Sequence, residues 1–220
     1  MRNKSLSQEA YDRIETLIVT AELRPGARTT LGELERLSGL GRTPVHDAVK
    51  QLSSASLILV QPRSGLRIAP LDFEQEEMLL PVRIEMEAIA CRLAAQRADF
   101  EDVNRLSAAA EKLRSGELTT LADFNVVDNE LNAAILTASR ERMLGNTLRP
   151  LQTLYRRSGW IFQTRVAEPT VLPRVVASHL ELLDLILKRQ PVEAELSVRK
   201  MLSGVGSSLQ KLKRADIGWG

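Results

Sequence analysis

The run Arg42-Thr43-Pro44-Val45-His46, with Lys50 beyond it, carries groups suited to gripping nucleic acid. A guanidinium offers a fork of donors that matches the edge of guanine, a contact that discriminates by ~1–3 kcal/mol. Arg42 is the candidate for that bond, Thr43 can hold a phosphate or a thymine methyl, and Lys50 can hold a phosphate further along. His46 falls four residues after Arg42, hence on the same helical face. Its ring presents one donor where an Arg presents a fork, so a shifted or relaxed base preference is expected. Taken singly, each of these is explained as well by a solvated charge on an ordinary helix. Their surroundings decide the matter.

Those surroundings run from Leu34 to Gly65. Ser38-Gly39 ends one short apolar-periodic helix, and Gly41 opens a second, with Val45, Ala48, Val49 and Leu52 on its inner side. The apolar run Leu57-Ile58-Leu59-Val60 is followed by a basic turn, Gln61-Pro62-Arg63-Ser64-Gly65, and a return, Leu66-Arg67-Ile68. Helix, turn, helix and hairpin make the plan of a winged helix-turn-helix, whose second helix enters the major groove and whose wing touches the backbone or minor groove. Arg63, Gly65 and Arg67 join the candidate DNA contacts on that plan.

The phrase LRPGARTTLGELERLSGLGRTPVHDAVKQL also resembles the amino-terminal signature of GntR-type bacterial transcription regulators, over roughly Leu6 to Pro70. Gly41 stands where that family usually has Ser, and His46 where it usually has a base-reading Arg.

Composition bounds the rest. The 220 residues suit one large or two small domains. Residues 1–72 hold ten Lys/Arg against eight Asp/Glu, so the whole net charge of +2 sits there. Nucleic-acid binding must therefore rest on placement of charge rather than on excess. The one cysteine, Cys91, excludes a disulfide framework and reads as a small buried apolar group. No apolar run reaches the ~18 residues of a membrane span, and MRNKSLSQEAYD lacks the apolar core of a signal peptide, so a cytoplasmic location is expected.

Ser5 or Ser7 can cap the first helix, and Thr30 with Glu33 forms a capping box for the next, which is expected to bury Leu31, Leu34 and Leu37. Around Ala69-Pro70-Leu71-Asp72 the pattern changes, dividing the chain into 1–72 and 73–220. Beyond it Glu74 to Leu80 reads as a short acidic turn or helix, with Pro81 at the first position of the helix that follows. Further helices are expected from Asp99, from Thr119 or Thr120, and near 141–163, 173–188 and 192–212. The fold class is mainly α: a winged helix-turn-helix followed by an antiparallel six-helix bundle.

This second half is similar to the helical ligand-sensing domain called FCD, found in the FadR-type branch of the same family. Arg83-Ile-Glu-Met-Glu87, Phe124 through Ala138, and His179-Leu-Glu-Leu-Leu-Asp carry the likeness. Many members of that branch hold a divalent metal through one Asp and three His. The resemblance puts Asp128 and His179 at two of those positions, with Asn132 and Met201 replacing the other two imidazoles. A thioether is a poor partner for a hard or borderline ion, so no cofactor is required and no tight metal is expected. Asp128 and His179 are then either a buried hydrogen-bonded pair or, with Asn132, the polar floor of an effector pocket. Arg83 can pair with an effector carboxylate or simply with Glu87 at i,i+4.

The function that the resemblance implies is a homodimeric repressor that binds a palindromic double-stranded operator and responds to an effector, a small organic acid or, as in one relative, a fatty-acyl thioester. Rival readings are a regulator whose bundle is metal-free and ligand-free, and a metal-assisted hydrolase using Asp128 and His179. An enzyme is not expected, because no nucleophile–base spacing, Gly-rich phosphate loop or full ligand set is present.

Overall fold

A computed structural model describes residues 5–61, 65–116, 118 and 120–215. The chain forms two compact units. One gathers the chain up to Asp72 together with Thr153–Ile161, and the other comprises Phe73–Gln152 and Phe162–Asp216. One break falls between Asp72 and Phe73, and Thr153–Ile161 joins the amino-terminal unit from far along the sequence.

The amino-terminal unit is built from α1 (Leu6–Val19), β1 (Arg28–Thr29), α2 (Leu31–Ser38), α3 (Arg42–Ser54), β2 (Ile58–Gln61) and β3 (Gly65–Ile68). Ser5 caps α1 by accepting from the Gln8 amide, and Thr30 caps α2 by accepting from the Glu33 amide. The reciprocal arm of the expected capping box is not made to Thr30. Glu33 instead accepts from the Thr29 hydroxyl at 2.9 Å. Gly39 ends α2 at φ 68°, a left-handed conformation that glycine adopts without a Cβ penalty. Ile14 and Ile18 of α1 meet Leu34, Val45, Ala48, Val49 and Leu52 in one core closed by Leu57, Ile58, Leu66 and Ile68. Leu37, expected inside, is 39% exposed, whereas the neighbouring Ser38, one turn after Leu34, takes the buried position. The three strands order β1-β3-β2, both pairs antiparallel. The two-residue β1 carries no period that could announce it.

The second unit contains α4 (Phe73–Arg97), α5 (Phe100–Arg114), α6 (Leu121–Ser139), α7 (Arg142–Arg165) apart from its Thr153–Ile161 stretch, α8 (Val171–Leu187), α9 (Pro191–Ser203) and α10 (Val205–Arg214). Here two expectations need correcting. Pro81 does not start a helix; it sits inside α4, which is continuous from Phe73. An interior proline removes one hydrogen bond and costs ~3 kcal/mol, and here buried packing on both sides, from Glu76 and Leu80 to Glu87 and Ala88, offsets it. The last expected helix is divided in two at Gly204. Small residues on α4 (Ala88, Cys91, Ala94, Ala95) let α6 and α9 pack closely against it. Asp99 and Thr120 form full capping boxes with Asp102 and Asp123, which fixes where α5 and α6 begin.

Candidate nucleic-acid interface and ligand site

Helix α3 is two-faced. Val45, Ala48, Val49 and Leu52 are buried, whereas Arg42, Thr43, His46 and Lys50 all face solvent. Its amino end is capped by Gly41 with no side-chain hydrogen bond, and the first turn carries no acidic residue. The unsatisfied amides and positive end of the helix dipole are therefore open to a phosphate, beside the Arg42 guanidinium. The angle between α2 and α3 is held from α1: Arg13 donates to the Ser38 carbonyl at 2.6 Å, at the carboxyl end of α2. Asp47 is occupied on α3 by the Ser7 hydroxyl of α1, at 3.4 Å.

In the hairpin, Gly65 pairs with Gln61 at φ 86°, and a Cβ there would stand 3.4 Å from the Thr29 carbonyl oxygen. Arg63 lies outside the described residues. Arg67 is half-buried, and its Nε donates to the Gly26 carbonyl at 2.9 Å. It thus fastens the turn before β1 to the sheet as well as lying beside the wing. Arg28, which the sequence reading passed over, pairs with Arg67 across β1 and β3 and is exposed. Only the sheet brings it to this surface.

The polar centre of the second unit is assembled from separate helices. His179 of α8 and Asp128 of α6 approach with Nε2 and Oδ1 3.2 Å apart, each side chain 12% exposed. The other ring nitrogen, Nδ1, lies 2.7 Å from the Val175 carbonyl oxygen. Phe124, one turn before Asp128, meets the imidazole edge-on with ring centroids 5.4 Å apart. On α4, Arg83 Nε lies 3.4 Å from Glu87 Oε1, and Gln152 of α7 donates to both Glu87 oxygens at 3.2 Å. Asn132 is half-buried one turn beyond Asp128, and Met201 packs against the apolar core.

The electrostatics follow from this geometry. Burial disfavours a charged His179, but the Asp128 hydrogen bond and charge, with the Val175 carbonyl, outweigh it and raise the imidazole's pKa. Burial also raises the Glu87 carboxyl, against the pull of Arg83 and Gln152, and the charge of Asp128 adds to the rise. Nδ1, donating to the Val175 carbonyl, is closed to a metal, and Nε2 could take one only by giving up its proton and its bond to Asp128. Together with Asn132 and Met201 in place of two imidazoles, this donor set does not fit a divalent ion. Among the described residues no group of three or more His, Cys, Asp or Glu stands where it could hold one.

Sequence reasoning offered Glu87 as one of two partners for Arg83, and the two do meet, but it missed Gln152. Its partner is 65 positions away, and nothing local in α7 announces the contact. Among the described residues no helix is long and apolar enough to cross a membrane.

Comparison with known proteins places these two sites in context. The Escherichia coli structure described as McbR/YncC superposes with a TM-score of 0.79 at 19% identity, covering 96% of this chain and 99% of that one. A regulator structure from Rhodococcus sp. RHA1 superposes at 0.70 with 15% identity, covering 96% and 100%. Among curated relatives, the uncharacterized HTH-type transcriptional regulator YdhC of Bacillus subtilis is 23% identical over 146 residues, 66% of this chain and 65% of its own length. McbR of E. coli is 26% identical over 117 residues, 53% of each. The matches thus span about half to two thirds of those relatives. The model of the FCD domain matches residues 78–204, and that of the bacterial regulatory proteins of the gntR family matches residues 6–68. With a reading head of one kind and a helical bundle of the other, the chain belongs to the GntR family of HTH-type transcriptional regulators, in the branch that carries an FCD domain.

Proposed function

We propose that this chain is an effector-responsive repressor that binds DNA as a homodimer in the cytoplasm. The observation that carries the reading is the two-faced α3, its apolar side locked into the core, Arg42, Thr43, His46 and Lys50 left outside, and no side-chain cap at its amino end. Gly65 and Arg67, with Arg28 paired to Arg67 across the strands, and Arg63 from its place in the sequence, supply further contacts to the DNA backbone. One such head reads only a few base pairs, and two copies on a palindromic operator double the contact. Met78, Val82 and Ile89 recur along α4 at helical spacing with their side chains exposed, which supports self-association through the helical unit.

The effector is a small organic acid received by Arg83 beside Asp128, Asn132 and His179. Its binding shifts the bundle towards a state with weaker operator affinity. Selection from a randomised DNA pool tests the reading. A palindromic consensus supports it, and recovery of no preferred sequence overturns it. The direct Asp128–His179 bond favours one second reading, a purely structural cluster in a ligand-free regulator, and indifference of operator affinity to any carboxylate would establish that instead.

A further inference from the structure

Two neighbouring residues of α7 serve different compact units. Gln152 belongs to the helical unit, where its amide donates to both oxygens of Glu87 at 3.2 Å. Thr153 belongs to the amino-terminal unit, where its hydroxyl donates to Glu15 of α1 at 2.6 Å. Glu15 is 5% exposed and also receives the Tyr11 hydroxyl at 3.3 Å and Arg156 Nη1 at 3.5 Å. One turn after Thr153, the wholly buried Arg157 donates to the carbonyls of Ala69 and Pro70, at 2.8 and 3.1 Å, on the segment that leaves the DNA-reading head.

A buried carboxylate and a buried guanidinium are costly to desolvate unless their partners are kept. None of these groups is needed to build a helix-turn-helix, whose apolar core is complete without them. Glu15 sits directly after Ile14, which packs in the same core as Val45 and Val49 of the reading helix. A shift of the α7 backbone at Gln152 moves Thr153 with it, because the two share a peptide bond.

We propose that the Gln152–Thr153 step of α7 is the joint through which the Arg83–Glu87–Asp128–His179 cluster controls the reading head. This rests on the regulator reading above and names the regulation of that site. An anion drawn to Arg83 competes with Glu87 for the guanidinium. Glu87, buried, then leans on Gln152 alone, and the change passes to Thr153, Glu15 and α1. Thr153 and Glu15 are positioning residues; neither touches DNA or effector.

The test is a double-mutant cycle in the full chain, with Glu87→Gln standing in for occupancy of the cluster and Thr153→Val cutting the joint. Operator affinity is read by fluorescence anisotropy on the selected DNA, and hydrogen exchange of α1 and α3 is read without DNA. Glu87→Gln is expected to change affinity by about 3- to 30-fold in the otherwise native chain, the range for coupling-network residues. In the Thr153→Val background it is expected to change it by less than about twofold, and Thr153→Ser should restore the response. Equal effects in both backgrounds, or none in either, would overturn the joint. If no DNA sequence is selected at all, the regulator reading fails. The hydrogen-exchange arm then still decides the joint, since α1 protection must respond to Glu87→Gln only while Thr153 is intact.

Discussion

The imidazole of His179 is held from both sides, with Nε2 3.2 Å from Asp128 Oδ1 and Nδ1 2.7 Å from the Val175 carbonyl oxygen. Both nitrogens are thereby asked to donate, which favours the imidazolium and makes the pair a charge-neutral unit inside the bundle. What such a unit does when pH or an anion changes is measurable.

The chain has two histidines, so proton titration by NMR should resolve two imidazoles. His179 should titrate above its ordinary value of 6.5, and Asp128→Asn should bring it down, since burial then acts unopposed by the carboxylate. The sign for stability follows. A group whose folded pKa is raised stabilises fully below its unfolded pKa and loses that contribution as pH rises through the folded one. Thermal unfolding should therefore show stability falling as pH climbs from near 6.5 upward, with a shallower fall in Asp128→Asn. An unchanged slope would detach His179 from Asp128.

Arg42→Ala should cost about 1–3 kcal/mol in operator binding and relax selection at one base pair. Lys50→Ala should weaken binding on every sequence alike and reduce the salt slope by about one. Gel-shift titrations at several salt concentrations separate the two outcomes.

His46 occupies the exposed face of α3 one turn after Arg42. Replacing it by Arg restores the fork that GntR-type signatures carry there, and the consensus selected from random DNA should move at one position in each half-site. An identical consensus would mean that His46 does not face the bases.

Gly65→Ala should destabilise the amino-terminal unit by roughly 1–2 kcal/mol, because φ 86° strains any residue bearing a Cβ. The new methyl would also press on the Thr29 carbonyl at 3.4 Å. Urea unfolding measures the loss.

Chelation should leave operator affinity unchanged, and added zinc should bind without defined stoichiometry, if the Asp128–His179 bond occupies the donors as described. Stoichiometric metal in the purified protein would contradict that account.

The sequence by itself determined whatever rests on local chemistry. Helix starts were legible at Thr30 and Asp99, and to within a residue or two at Ser5 and Thr120, because a cap needs only a side chain three residues from the amide it satisfies. The inner face of α3 was equally legible in Val45, Ala48, Val49 and Leu52, since helical period alone separates core from solvent. Arg83 with Glu87 was readable at one turn's spacing. Tertiary structure decided the rest. It carried α4 through Pro81, divided the last helix at Gly204, pinned Arg67 to the Gly26 carbonyl and brought Gln152 to Glu87. Each of these turns on a partner tens of residues away or on packing energy that outweighs a local preference. Spacing along the chain records neither.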